Sequence, residues 1–326
     1  MKIAALVHFS VPFRMAGSET MLHTLLKALD AAGHDVTVVT THTPQAPQQW
    51  RWDGIRGRSC RGPEAAAAMV RDLRPDVVIT QHQNTALAID TARDIRAASV
   101  FLMHNDFDLN RALLAKGPDL VVFNTHWIAE RYAEQAPRHV VVHPPVRPGA
   151  HATTPGDRVT LVNLSIDKGA GVFYRLARRM RDVGFLGVVG AHGHQRRQRH
   201  PNVEIVEQTT DMRSDVWSRT RVLIVPSQYE SYGMAGVEAL ASGIPVIAAP
   251  TPGLRESLGP AGTFVDRDDL DGWEAAVRHL LEDDAAWREA SERALKRSAE
   301  LDPEPEVAAW VAAVEEVHHG GAGDAG

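Results

Sequence analysis

The stretch Val222-Leu223-Ile224-Val225-Pro226-Ser227-Gln228-Tyr229-Glu230-Ser231-Tyr232-Gly233-Met234-Ala235-Gly236-Val237-Glu238 decides how this chain is read. It opens with an unbroken apolar run, rich in β-branched residues and closed by a proline, which predicts a buried strand over 222–226. A polar loop follows over 228–233, and the residues after it predict a helix over 234–241. Glu230 then lies in the loop at the strand's carboxyl end, and Glu238 on the helix. Tyr232, Gly233 and Met234 fall at the helix start, where backbone N–H groups without intrahelical partners and the helix dipole attract phosphate. A nearby carboxylate is suited to bridging the two hydroxyls of a ribose, as an acidic residue does in dinucleotide-binding folds. Spacing alone does not separate this reading from a solvated loop glutamate and a second glutamate on a helix surface.

Outward from that stretch the same alternation recurs. Toward the N-terminus, strands are predicted over 3–8, 36–40, 77–80, 100–104, 120–124 and 140–143, with helices over 19–32, 64–73, 86–97 and 127–135 between them. Pro144, Pro145, Pro148 and Gly149 interrupt the pattern, and 147–157 reads as an interdomain linker. Strands over 159–164, 185–189, 203–206 and 246–249 and a helix over 172–181 then flank the opening stretch. The chain therefore reads as two α/β domains, 1–146 and 158–302, each with a doubly wound parallel sheet. Such sheets bind ligands at the carboxyl ends of their strands, so a cleft between the domains is the expected site. Amphipathic helices are predicted over 270–282 and 285–301. A last segment, 303–318, is expected to return to the first domain, and the Gly-rich 319–326 to be a flexible tail.

The bulk numbers agree with this division. A chain of 326 residues is long for one core and suits two. With 44% hydrophobic and 23% charged residues it has a globular composition, and a net charge of -6 excludes a molecule built as a whole to bind polyanions. Cys60 is the single cysteine, so no intrachain disulfide can form, which fits a reducing cytoplasm. No apolar run approaches the length of about 20 residues that spans a bilayer, and 1–9 reads as a first strand rather than a leader. A soluble, cytoplasmic protein is expected.

The string from Pro226 through Ser242-Gly243-Ile244-Pro245-Val246-Ile247-Ala248 resembles the donor-site signature of family 4 of the retaining glycosyltransferases, also called glycosyl transferases group 1. The likeness continues through Pro252-Gly253-Leu254-Arg255-Glu256 and Gly262-Thr263-Phe264-Val265. It reappears near the N-terminus in Ala16-Gly17-Ser18-Glu19 and Ala32-Gly33-His34-Asp35-Val36. The resemblance implies the GT-B fold, two Rossmann-like domains facing across a cleft. It implies transfer of a sugar, with retention of configuration, from a nucleotide-sugar, UDP-sugar on family frequency. Glu230 would contact the donor sugar and Glu238 the ribose hydroxyls, while backbone amides of Tyr232, Gly233 and Met234, next to Ser231, take the distal phosphate. Gly17 and Ser18 would approach the donor from the first domain, with Ala16 in place of a glycine usual in the family. The implied path is front-face attack through an oxocarbenium-like state, in which the protein supplies positioning and charge stabilisation.

Two further residues join the candidate site. Lys168, in Val162-Asn163-Leu164-Ser165-Ile166-Asp167-Lys168-Gly169, follows the first strand of the second domain and can neutralise a diphosphate leaving group. Its plain alternative is a surface lysine after a turn. The family carries an arginine just upstream, where this chain has Val162 and Asn163. Asn163 can donate a hydrogen bond but brings no charge, so a substitute is expected from the 190–195 loop or from Arg14. The strand over 100–104 delivers His104 to the rim of the cleft, where the resemblance assigns it a hydrogen bond to sugar or acceptor.

Other signals are discounted. The acidic pairs Asp106/Asp108, Asp266/Asp268 and Asp269/Asp271 mimic metal-binding spacing, but two lie beside a helix start, where acids favour the dipole, and no metal or other cofactor is expected. The basic, His-rich loop 192–200 lacks further metal ligands nearby and reads as solvated, though it admits a nucleic-acid acceptor as an alternative to a small molecule or glycan. Trp50 and Trp52 could stack on a sugar or simply pack. A nucleotide-sugar epimerase of the same fold and a non-catalytic sugar-binding protein are the competing readings, and the segment from Glu230 to Glu238 fits a transferase better.

Overall fold

Buried β-branched runs become the inner strands of two parallel sheets, and the amphipathic segments between them become their covering helices. The computed structural model describes residues 1–43 and 46–321. They form two units, Met1–Pro145 with the segment from Pro303, and Val146–Asp302. The first contains β1 (Lys2–Val7), α1 (Gly17–Ala31), β2 (Asp35–Thr40), β3 (Gln49–Trp52), β4 (Ile55–Ser59), α2 (Pro63–Leu73), β5 (Val77–Gln81), α3 (Thr85–Ile95), β6 (Ala98–Met103), α4 (Leu109–Leu114), β7 (Leu120–Phe123), α5 (His126–Tyr132) and β8 (His139–Val141). The second contains α6 (Pro148–His151), β9 (Arg158–Val162), α7 (Ala170–Arg179), β10 (Phe185–Val188), β11 (Val203–Val206), α8 (Met212–Asp215) and β12 (Thr220–Val225). It continues with α9 (Met234–Leu240), β13 (Val246–Ala248), α10 (Pro252–Leu258), β14 (Gly262–Phe264), α11 (Leu270–Glu282) and α12 (Asp284–Glu300), and α13 (Glu304–Gly321) follows.

The first sheet has the order β3-β4-β2-β1-β5-β6-β7-β8 and the second β11-β10-β9-β12-β13-β14. All pairings are parallel except that of β3 with β4. Strand order therefore reverses between β1 and β5 in one sheet and between β9 and β12 in the other. At such a reversal the loops leave in opposite directions and open a crevice at the strands' carboxyl ends. The sheets carry apolar layers on both faces, as doubly wound sheets require.

Helix α13 belongs to the first unit. Trp310 is fully buried and donates from Nε1 to the Leu25 carbonyl at 3.0 Å, while Val314 and Val317 join Leu22, Leu25 and Leu29 in one cluster. His143 N donates to Glu306 Oε2 at 2.7 Å and fixes the start of the helix against the end of β8. The helix continues to Gly321, past the point where a flexible tail was expected to begin, and the remainder of that tail, 322–326, lies outside the described residues.

Two other stretches differ from expectation. Between the strand predicted over 36–40 and the helix predicted over 64–73 lies the antiparallel hairpin β3–β4, missed because β3 alternates Trp with Gln and Arg instead of forming an apolar run. Trp50 packs: its ring lies where a Cβ on Gly57 would sit, stands edge-on to Phe13 at 5.3 Å, and donates from Nε1 to Ser59 Oγ at 3.2 Å. Trp52 is exposed. The segment 147–157, read as a linker, is folded onto the second unit through α6 and through Gly156, whose N–H donates to the Thr220 carbonyl at 3.1 Å. Among the described residues no helix is long and apolar enough to cross a membrane.

Candidate functional site

In the second unit the loops leaving β9 and β12 meet at the order reversal. Gln228 N donates to the Asp167 carbonyl at 2.8 Å. Gly169 has a φ of 99° and lies so close to Pro226 that a Cβ would overlap the proline ring. This junction places Lys168 Nζ 2.6 Å from Glu230 Oε1 and 3.3 Å from the Tyr229 carbonyl. Ser227 Oγ donates to the same Glu230 oxygen at 2.9 Å. The two charged side chains are 29% and 17% exposed, so the pair is partly shielded from water. A hydrogen bond to a charged group contributes about 1.5–3 kcal/mol, enough to hold the Glu230 carboxylate in one orientation. Arg267 ties both loops together, donating from Nε to the Pro226 carbonyl at 3.0 Å and from Nη2 to the Ile166 carbonyl at 2.9 Å.

Beyond Glu230 the chain turns into α9 through Gly233, whose φ of 87° is a left-handed conformation open to glycine. Helix α10 backs this turn. Its N-cap Thr251 accepts from Leu254 N at 3.3 Å, and at Gly253 a Cβ would overlap the Ser231 carbonyl. Ser257 Oγ donates to the Tyr232 carbonyl at 2.6 Å. The Tyr232 side chain is buried with Val146 and Val237, so its contribution to any anion contact is confined to the main chain. Glu238, on α9, has a side chain only 14% exposed, and burial pushes its carboxyl up to about 8.

Asn163 has a different task from the one expected. Its φ is 74°, and its side chain brackets the following loop: Nδ2 donates to the His192 carbonyl at 3.1 Å, while Oδ1 accepts from Ser165 N at 3.1 Å and from Gln195 Nε2 at 2.8 Å. Gln195 Oε1 in turn accepts from Leu164 N and Gly190 N at 2.9 and 2.8 Å. The amide therefore supports the loop. Farther along, Arg197 forms an ion pair with Glu207, and the Arg196 carbonyl accepts from the Tyr174 hydroxyl at 2.7 Å. The basic loop is thus pinned to its own domain.

In the first unit the candidate residues sit at the strand-end edge of the sheet. His104 follows β6, is 8% exposed, and its Nε2 is 2.7 Å from Gln81 Oε1 at the end of β5. Donation from Nε2 to that oxygen leaves Nδ1 as the acceptor. Burial, and after it the neighbouring His82 ring at 5.1 Å, holds His104 well below the usual imidazole range, so it is neutral at pH 7. Two more histidines extend the row: His8 follows β1 and His42 follows β2, stacked at 5.1 Å, with His8 Nδ1 3.1 Å from Thr41 Oγ1. Gly17 and Ser18 begin α1, and Ser18 Oγ donates to Glu19 Oε2 at 3.0 Å. Arg14 lies over the Phe9 ring at 4.2 Å.

The structure thus brings Lys168, Glu230, Ser231, Gly233 and Met234 together around one junction, puts Glu238 on the helix that leaves it, and diverts Asn163. Sequence reasoning missed Ser227, Arg267, His8, His42 and His82. The histidines had a readable signal, since His8 closes a predicted strand and His42 and His82 each come two residues after the end of one. Arg267 had none, lying among Asp266, Asp268 and Asp269. Several of the discounted acids have structural partners: Asp106 faces Arg131 at 3.6 Å, Asp269 caps α11 by accepting from Gly272 N at 2.9 Å, and Asp271 pairs with Arg179.

Comparison with known proteins agrees with this geometry. The family profile described as Glycosyltransferase Family 4 matches residues 15–149, and that described as Glycosyl transferases group 1 matches residues 161–283. The O-antigen chain mannosyltransferase B of Escherichia coli is 33% identical over 87 residues, 26% of this chain and 23% of the relative. The D-inositol 3-phosphate glycosyltransferase of Corynebacterium diphtheriae is 35% identical over 104 residues, 31% of this chain and again 23% of the relative. These matches therefore span about a quarter of each relative's length. Among solved structures, the sucrose-phosphate synthase of Thermosynechococcus elongatus superposes with a TM-score of 0.76 over 98% of both chains at 18% identity. The Anabaena HepE protein, solved in complex with UDP-glucose, does so with a TM-score of 0.77 over 97% of this chain and 98% of that one at 15% identity. At such identities the likeness shows the fold, two Rossmann-like sheets of the GT-B type. With one profile matched in each unit and that fold around the Lys168–Glu230 junction, the chain belongs to the family 4, group 1 glycosyltransferases.

Proposed function

We propose that the protein is a retaining glycosyltransferase that moves a sugar from a UDP-sugar to a hydroxyl of a small molecule or glycan. The observation that carries this reading is the Lys168–Ser227–Glu230 junction at the order reversal of the second sheet, with the buried Glu238 one element further on. A lysine has three N–H bonds, so Lys168 can hold Glu230 and a phosphate oxygen together. It would draw charge from the departing diphosphate, helped by main-chain amides of Tyr232, Gly233 and Met234 beside Ser231. That supply of positive charge is the basis for proposing catalysis without a metal ion. Glu230, held by lysine and serine, would orient the donor sugar. Glu238 is a buried carboxyl, and two ribose hydroxyls donating to it would stabilise its charged form. In the first unit, His104 is neutral and its Nδ1 is left as an acceptor suited to a hydroxyl.

UDP is favoured because the Anabaena protein of the same fold was solved with UDP-glucose. The relatives named for mannose transfer and for D-inositol 3-phosphate differ in what they act on, so the acceptor is left at its class. A cytoplasmic location fits the free thiol of Cys60 and a nucleotide-sugar donor.

The test is a thermal-shift series with UDP- and GDP-sugars, followed by NMR of the product formed from the stabilising donor. A donor at 100 times its Kd adds about 2.7 kcal/mol of stability. The expected product keeps the donor's anomeric configuration, and its rate of formation is unchanged by EDTA. No stabilisation by any nucleotide-sugar, or an inverted product, would contradict the reading.

A further inference from the structure

Glu238 has a neighbour that the proposed function does not use. His151 closes the short helix α6, which packs against α8 and α9. Its carbonyl accepts from Ser242 Oγ at 2.9 Å, and Ser242 Oγ in turn accepts from Thr153 N at 3.0 Å, tying the backbone here to the residues just past α9. His151 Nδ1 stands 3.8 Å from Glu238 Oε2, with the two side chains 21% and 14% exposed. Nδ1 is itself buried and has no hydrogen-bond partner among the described residues. A nitrogen left in that condition costs about 1–3 kcal/mol. A side-chain shift of about 1 Å brings it within hydrogen-bond distance of the carboxyl.

We propose that His151 is the proton acceptor of Glu238: when a nucleotide-sugar's ribose binds, the carboxyl proton passes from Oε2 to Nδ1. One O–H bond breaks and one N–H bond forms. The resulting carboxylate accepts both ribose hydroxyls, and the imidazolium beside it balances the charge. This inference rests on Glu238 as the ribose contact and adds His151 as the positioning residue behind it.

The electrostatic setting supports the exchange. Burial raises the Glu238 carboxyl to about 8 and lowers His151 below its usual range, so both are mostly neutral at pH 7. Burial is the only cause acting on either. The surrounding ionic groups are Arg147 before α6, Arg213 and Asp215 on α8, Arg221 on β12, Arg255 and Glu256 on α10, and the charged residues of α12 between Asp284 and Glu300. None adds a Coulombic contribution to Glu238 or His151, and β13 carries no titratable side chain. Each group is therefore poor as a lone ion.

Calorimetric titration with UDP-glucose and GDP-mannose, in two buffers of different ionisation enthalpy at pH 7, counts the protons released. Both probes carry a ribose and a diphosphate with no group titrating near neutrality. With whichever probe binds, the wild-type protein is expected to release almost no proton, and its affinity to stay level between about pH 6.5 and 8. His151→Gln, and independently His151→Asn, is expected to release about one proton and to lose about tenfold in affinity per pH unit below about 8. Release of about one proton by the wild type overturns the proposal without any variant, as does a wild-type proton count in His151→Gln. Unweakened binding by Glu238→Gln overturns the ribose assignment instead. Binding of neither probe overturns the proposed function, and the inference with it.

Discussion

The second sheet's strand-end junction carries opposite charges in contact, Lys168 against Glu230, whereas the first sheet's edge carries imidazoles and amides. His104 there is matched to Gln81 and His8 to Thr41, neutral partners in both cases. The difference is chemical. A preorganised cation suits a diphosphate whose charge grows as a bond breaks, while neutral hydrogen-bonding groups suit hydroxyls that must be oriented but not ionised.

The contrast can be broken by substitution. The largest effect is expected for Glu230→Ala, which frees Lys168 from its partner and removes the proposed sugar contact. Steady-state kinetics should show kcat lower by about 10³, with the donor KM changed far less. Gly253→Ala comes next, because its Cβ would overlap the Ser231 carbonyl and must push the Glu230–Gly233 turn out of place. A rise of about 10²-fold in donor KM is expected, with the fold retained by circular dichroism. Lys168→Met should lower kcat/KM by about 30–100-fold, close to the loss of one strong charge-stabilising donor.

The smallest effect is expected at the neutral edge. His104 is depressed below its unfolded value, so it contributes stability above about pH 6.5 that is lost as the pH falls. His104→Gln should flatten part of the decline in Tm between pH 6.5 and 5, and reduce kcat by about tenfold. A loss at His104 greater than that at Lys168 would reverse the contrast between the two edges.

The same difference governs how much was legible in the sequence. The donor segment is local: strand, turn and helix follow one another from Val222 to Leu240, so Glu230, Gly233 and Met234 could be placed without coordinates. Lys168 could be nominated because it follows the first strand of its sheet, but its contact with Glu230 depends on β9 and β12 being neighbours, a fact of topology. The loop-supporting bonds of Asn163 went unread for a related reason. Its left-handed backbone and its bonds to Gln195 and His192 belong to a loop whose return path no local pattern encodes. The row of histidines is more dispersed still, drawn from four strands far apart in the chain and adjacent only once the sheet order is known. The hairpin β3–β4 escaped notice because it is an edge ribbon whose alternation uses tryptophan and arginine. His151 looked like one more polar residue in a linker until α6 was seen to pack on α9.

The central claim is that a buried carboxyl at Glu238 is kept for a ligand and not for the fold, and one comparison tests it. A carboxyl raised from its ordinary value of 4.5 to about 8 destabilises the folded state increasingly as pH rises between those values. Glu238→Gln removes that penalty and replaces the proposed charged ribose acceptor by a neutral amide with one accepting oxygen. At pH 8.5 the variant should therefore be more stable than wild type by about 2–4 kcal/mol in urea unfolding. It should also bind UDP-glucose about 30–100-fold more weakly in the same buffer, about the worth of one hydrogen bond to a charged group. A variant that is more stable and binds more weakly is the result this account requires; one that binds UDP-glucose as tightly as wild type would contradict it.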